Sequence, residues 1–248
     1  MHFSEIAEQM PPRDTALSQL VPRGLLVAKE AICLLQSGFA DGAMARWRTL
    51  HEINVTANFI SKHGDRAGLL YLYSFPFAAR RAAKNYIEYQ ERAQLQPFDK
   101  SSLDAIEAEC DRVRREIGFE LKSDLDWASD FIGAKKGRIT LFDLESDVGL
   151  DHWRPRYRWA SQHNHAAYRP SDRLLGMSEA KADMHLIGPS NSGLSDPIQM
   201  VAISLQSLVT TSLLTISNVD RIVHVKTVAL LVDKLLTLAI EPDQQTES

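Results

Sequence analysis

A chain of 248 residues with 44% hydrophobic content is long enough for one large domain or two small ones with an ordinary globular core. Its formal charge of −4 excludes a protein that coats nucleic acid through a net basic surface, so any nucleic-acid site must be a local patch. Two cysteines, Cys33 and Cys110, stand apart from any partner motif, which fits reduced thiols rather than a disulfide framework or structural zinc.

Residues 1–14 are polar and end in Pro11 and Pro12, the composition of a flexible arm. They lack a basic stretch followed by an apolar run, so they do not read as a secretory signal, and the expected compartment is the cytoplasm. Residues 16–35 predict a helix buried through Leu25, Leu26, Ala28, Ile32, Leu34 and Leu35, with Pro22 either kinking it or starting a second segment. After a short turn, residues 37–64 predict an amphipathic helix with Asp41 as N-cap and Gly64 as its stop. Met44, Trp47, Leu50, Val55, Phe59 and Ile60 form its apolar face, and Arg46, Arg48, His51 and Glu52 lie beside that face. Arg48 and Glu52 are four apart, so they meet on the helix surface. They form either a plain surface ion pair or one wall of a polar cleft.

A third long helix is expected from Asp65, irregular just before Pro76, with Tyr71, Tyr73, Tyr86 and Tyr89 in packing roles. Its Arg80, Arg81 and Lys84 read as a solvated basic face. Ser102 is placed to cap a helix that ends at Gly118, and Thr140 to cap a later one, with a short amphipathic piece at 124–132. Residues 98–150 therefore read as smaller helices around the outside of a bundle.

Residues 151–173 hold most of the chemistry. Arg154, Arg156, Arg158, Arg169 and Arg173 are interleaved with Trp153, Tyr157, Trp159 and Tyr168, and His152, His163 and His165 stand among them. In an acidic chain this is a local positive patch with stacking surfaces, the combination that recognises single-stranded RNA. The competing reading is an aromatic-anchored helix whose arginines pair with acids such as Glu107, Glu109 or Asp143. A long loop follows, with an extended piece at 184–187, and Asp183 with His185 is too little for a metal site. Residues 197–219 carry no charge, yet their serines, threonines and glutamines make them too polar to span a membrane. Such a helix belongs at the centre of a bundle or in a subunit contact, which points to a homodimer. The last helix, 220–240, is expected to turn Ile222, Val223, Leu230, Leu231, Leu235 and Leu238 to the core, and 241–248 to form a disordered tail. The fold class is all-α, a single domain over 15–240 built as a bundle of long antiparallel helices with shorter peripheral ones.

The stretch GFADGAMARWRTLHE resembles the opening signature of a bacterial, mostly helical family catalogued as a domain of unknown function, with its Arg and Glu on Arg48 and Glu52. The family's short His-containing segment is matched by YRWASQHNHA at 157–166, and the resemblance covers most of 15–240. More distantly, such proteins are similar to the HEPN superfamily, whose active members are metal-independent ribonucleases. That likeness implies an RNA-cleaving effector of anti-phage or toxin systems, with RNA as partner and no cofactor. In HEPN ribonucleases an Arg followed four to six residues later by His steadies phosphate charge while the His shuttles protons. The expected catalytic set is then Arg158, His163 and His165, with Arg48, Glu52, Arg154, Arg156 and Trp159 binding or orienting the substrate. Arg158 and His165 share a face on a continuous helix, whereas Arg158 and His163 converge only if the helix ends between them. Trp159 follows Arg158 where many HEPN members have a polar residue. The alternative class is a non-catalytic module that binds a protein or nucleotide and regulates a neighbouring enzyme. A metal site from His51, Glu52, His163 and His165 is a third possibility, while glycine-loop, nucleophile-elbow, HExxH and CxxC patterns are absent.

Overall fold

The computed structural model describes residues 10–133, 137–166, 168, 170–179, 184–216 and 218–246. Residues 1–9 of the expected arm, Arg169, Asp183 and the last two residues of the expected tail lie outside the described residues. Among the described residues the chain is all-α, with no strand. The helices are α1 Pro12–Gln36, α2 Ala40–Tyr89, α3 Lys100–Ile117, α4 Leu141–Val148, α5 Arg154–Ser161, α6 Ser195–Leu213 and α7 Val219–Thr246. They group into two compact units. One comprises His63–Leu144 and the described part of Met1–Ala16, and the other comprises Leu17–Lys62 with the described part of Glu145–Ser248.

Helix α1 runs through Pro22 as a single element. Gly64 breaks the backbone geometry as its position in the sequence suggests, with φ 72° and ψ −153°, but the helix resumes beyond it. That combination of angles is essentially restricted to glycine, so one helical segment stops here as expected and a second continues α2 across the kink. The irregularity expected before Pro76 is not there, and Gly64 is the one non-helical position inside α2.

In the first unit, Trp127 is buried in a 3₁₀ turn at Asp126–Ala128, with Tyr71 edge-on at 5.3 Å. Arg80, Arg81 and Lys84 do not form a solvated basic face. Arg80 is held between Glu107 and Glu120, Arg81 pairs with Asp124, and Lys84 lies 3.6 Å from Glu107. Helix α3 is capped by Asp99 and not by Ser102. The Asp99 carboxylate accepts from the Ser101 and Ser102 hydroxyls and the Ser102 N–H, which hold its pKa down to about 2. Gly118 closes the helix with φ 82°, and Asp143 accepts from the N–H and hydroxyl of Thr140 at the start of α4.

In the second unit, residues 40–62 of α2 bury Met44, Trp47, Leu50, Val55, Phe59 and Ile60. Burying each such side chain contributes about 1.5–3 kcal/mol. Helix α6, which carries no charge from Pro197 on, sets polar groups against this segment. Trp47 Nε1 donates to Ser204 Oγ at 2.8 Å, Thr211 Oγ1 donates to Asn58 Oδ1 at 2.9 Å, and Asn58 Nδ2 reaches Ser207 Oγ at 3.3 Å. Pairing of this kind is what allows the polar side chains of such a helix to be buried. Two burial expectations fail. Leu25, Leu26 and Ile32 on α1 are exposed, and so are Ile222, Val223, Leu230, Leu231, Leu235 and Leu238 on α7. Helix α7 packs on α6 through a narrow stripe, so most of its apolar residues have no cover within the chain. No helix among the described residues is long and apolar enough to cross a membrane.

Candidate functional site

Helix α5 starts after a 3₁₀ turn at Asp151–Trp153, with Pro155 in its first turn, where a missing N–H costs nothing. It ends at Ser161, and a second 3₁₀ turn, Gln162–Asn164, leads to His165 in an extended conformation. The inward residues of this short helix are Tyr157 and Ala160. Tyr157 reaches Arg48 and Glu52 on α2.

The three side chains form a closed hydrogen-bonded set. Tyr157 Oη donates to Glu52 Oε1 at 2.5 Å, while Arg48 Nε donates to Tyr157 Oη at 2.9 Å and to Glu52 Oε1 at 3.1 Å. The Arg48 guanidinium also lies 5.0 Å from the centre of the Tyr157 ring. Burial, followed by the bond to Glu52, pushes the Tyr157 hydroxyl up to about 12 against the opposing influence of Arg48. The phenol therefore stays protonated and acts as a donor. The Arg48 and Glu52 side chains retain 27% and 42% exposure, so the set is partly open to solvent. Neither terminal nitrogen of Arg48 has a hydrogen-bond partner among the described residues. Its plane is fixed through Nε and its fork is left open, an arrangement suited to the oxygens of a phosphate or carboxylate.

One residue before Glu52 the chemistry reverses. His51 is buried, its Nε2 lies 3.0 Å from Glu145 Oε1, and Glu145 has no exposure at all. Arg154 forms an ion pair with the other oxygen of Glu145, and its guanidinium lies 5.1 Å from the Tyr157 ring centre. Trp47 and Tyr157 flank the imidazole at 5.4 and 5.7 Å. This inner set is buried beneath the open one.

The remaining expected site residues are dispersed. The helix does end between Arg158 and both histidines, but His163 turns to Asp41, with Nδ1 2.9 Å from Oδ1, and packs edge-on to Trp159 at 5.8 Å. Asp41 also accepts from the N–H groups of Leu175 and Gly176 at 2.9 and 3.0 Å. It therefore ties α2 to a later turn instead of capping its own helix. Burial alone would raise its pKa, but the bonds from His163, Gly176 and Leu175 hold it below the ordinary carboxylate value. Gly193, with φ 69°, backs this turn so closely that a Cβ there would meet the Leu175 carbonyl oxygen at 2.2 Å. Arg156 pairs with Asp196, whereas Arg158 and His165 are exposed. Arginines of this helix thus find Glu145 and Asp196 as partners. Trp159 lines a cavity of about 520 Å³ together with Gln162, Tyr168 and Arg173. His51, Glu52, His163 and His165 do not assemble as metal ligands, and no group of three such side chains gathers among the described residues.

A family defined as "Family of unknown function (DUF5677)" matches residues 14–182, which is more than half of the chain. The chain belongs to DUF5677. The matched DUF5677 span includes Arg48, Glu52, His51, Glu145, Arg154 and Tyr157, and so contains both polar sets whole. No curated protein and no solved structure matches the chain. Within the DUF5677 span, sequence reasoning singled out Arg48 and Glu52 and weighed His51 as a metal ligand, and it missed Glu145 and Tyr157 as their companions. The available signal was the repeated three- and four-residue spacing of Arg48, His51 and Glu52, matched by Arg154 and Tyr157 on the arginine-rich segment.

Proposed function

We propose that this chain binds RNA by gripping a backbone phosphate on Arg48 and cleaves it without a metal ion. The observation that carries the reading is the Arg48 guanidinium, anchored at Nε by Glu52 and Tyr157 with its terminal nitrogens open. A fork held in place before the ligand arrives loses little freedom on binding a phosphate, and it offsets the charge that builds there during cleavage. Exposed Arg158 and His165 lie along the same segment, and the likeness to HEPN proteins supplies the chemistry. His165 takes the proton of a ribose 2′-hydroxyl, the 2′-oxygen attacks phosphorus, and the bond to the 5′-oxygen breaks as His165 returns the proton to it, producing a 2′,3′-cyclic phosphate. The setting that suits such an activity is a triggered effector of anti-phage defence or a toxin system.

A second reading, a non-catalytic module that binds a protein or nucleotide and regulates a neighbouring enzyme, draws on the engagement of His51 with Glu145 and His163 with Asp41. Two of the nearby imidazoles have structural partners, which leaves His165 to carry any catalysis. End-labelled RNA incubated with the protein in EDTA separates the readings. The ribonuclease predicts cyclic-phosphate ends that disappear in His165→Ala, together with about tenfold weaker RNA binding in Arg48→Ala, the loss of one charge-assisted contact. RNA binding without cleavage supports the module, and RNA affinity unchanged by Arg48→Ala overturns the site.

A further inference from the structure

The largest mismatch between composition and environment in the molecule is helix α7. Val219, Val223, Leu230, Leu231 and Leu238 are 75%, 55%, 69%, 63% and 52% exposed, although the helix packs on α6 along its opposite side. At 100° per residue, Val225, Val228, Val232, Leu236 and Ala239 form the side turned toward α6. Val219, Val223 and Leu230 then share the opposite side, with Leu231 and Leu238 along one edge. Lys226 and Asp233, seven residues apart, line the other edge, and Lys234 lies on the leucine side.

We propose that this face binds the same face of a second copy of the chain, the two α7 helices running antiparallel about a twofold axis beside Leu230. The register follows from charge. In an antiparallel pair the like edges of the two helices meet. With the axis beside Leu230, Lys226 of each chain falls opposite Asp233 of the other, so one edge carries two symmetric ion pairs. Leu230 meets Leu230 at the centre, Val223 meets Thr237, and Lys234 lies beside Thr227 of the other chain, level with that chain's Lys226, whose charge Asp233 offsets. A lipid surface fits this face poorly, because Lys226, Asp233 and Lys234 stand along the same length as the leucines, and a bilayer offers the acid no partner. A second α7 answers both the apolar residues and the charges. The same leucines continue into a groove of about 480 Å³ between α1, α6 and α7, walled by Ile32, Leu35, Val201, Leu205, Leu231 and Leu235. Pairing at Leu231 extends apolar cover over the α7 wall of that groove.

Light scattering after size-exclusion chromatography, with sedimentation equilibrium on the full chain at tens of micromolar, tests this inference. The expected result is twice the mass of one chain. Lys226→Asp and Asp233→Lys each place like charges on the ion-pair edge and weaken association by about tenfold or more, and the double variant restores it. Far-UV circular dichroism of each variant separates dissociation from unfolding, and rescue by the double variant requires both folding and the stated register. A wild-type monomer at this concentration overturns the inference. So does a dimer indifferent to both single changes, or a double variant that remains dissociated. RNA cleavage or binding can fail with no bearing on this outcome, since α7 contributes no residue to the Arg48 site.

Discussion

Two constellations share one turn of α2 and the same tyrosine, yet they are built for different ends. The inner one sets His51, Glu145 and Arg154 in contact, with Glu145 sealed from solvent. The outer one holds Arg48 and Glu52 at partial exposure and uses Tyr157 to fix the guanidinium by its Nε edge. Burial makes the inner charges costly to uncouple, because neither ion can recover its hydration if the other is removed. Exposure makes the outer pair inexpensive to lose, while its open nitrogens keep it available to a ligand. The comparison teaches that a charged helix turn can support the fold on one side and present a binding group on the other.

The sharpest way to break the comparison is to remove one inner ion. Glu145→Ala leaves Arg154 without its carboxylate and His51 without its partner, and should cost about 3–5 kcal/mol of stability. Arg48→Ala, by contrast, should cost no more than about 1 kcal/mol. Urea denaturation followed by circular dichroism measures both, and equal losses would mean that the two sets are not distinct. A smaller effect is expected at the link between α2 and the Leu175–Gly176 turn. Asp41→Asn weakens the contact with His163, at a cost of about 1–2 kcal/mol at neutral pH. Because the carboxylate is held below its ordinary pKa, the folded state binds fewer protons there than the unfolded chain does. Its contribution is thus present above the unfolded pKa and is lost as pH falls through the lowered folded value. The stability gap between wild type and Asp41→Asn, measured by thermal melts from pH 7 to pH 3, should narrow on acidification.

What was legible in the sequence was local. The all-α class followed from helical periodicity, and Gly118 and Thr140 mark helix ends because cap chemistry is settled within a few residues. Arg48 and Glu52 stood out because four residues make one turn. Asp41 read as a cap for the same reason, and that reading failed because its acceptors are used by a turn far along the chain, a contact that no spacing rule reports. Glu145 looked like any acid in a short helix until the fold placed it against His51. The exposure of α7 was equally hidden, since Leu230 and Leu231 have the same chemistry whether their own chain covers them or not. Pro76 was the reverse case: a local rule gave a break that the helix does not make.

The gentlest test concerns Tyr157, which belongs to both sets. Its hydroxyl is raised to about 12 by burial and by donation to Glu52, so the protonated form is favoured in the folded state. A raised value contributes stability that is complete below the unfolded pKa of about 10 and is lost as pH rises from there toward 12. Tyr157→Phe removes the bond to Glu52 and the acceptor for Arg48 Nε but keeps the ring that both guanidinium groups approach, so the cost at neutral pH should be about 1 kcal/mol. Difference absorbance near 295 nm between wild type and Tyr157→Phe isolates this one phenol, and its midpoint should fall near 12. A midpoint near 10 would mean that the hydroxyl is not committed to Glu52. Arg48 would then lack the fixed acceptor that orients its fork, and the outer set would revert to an ordinary surface ion pair.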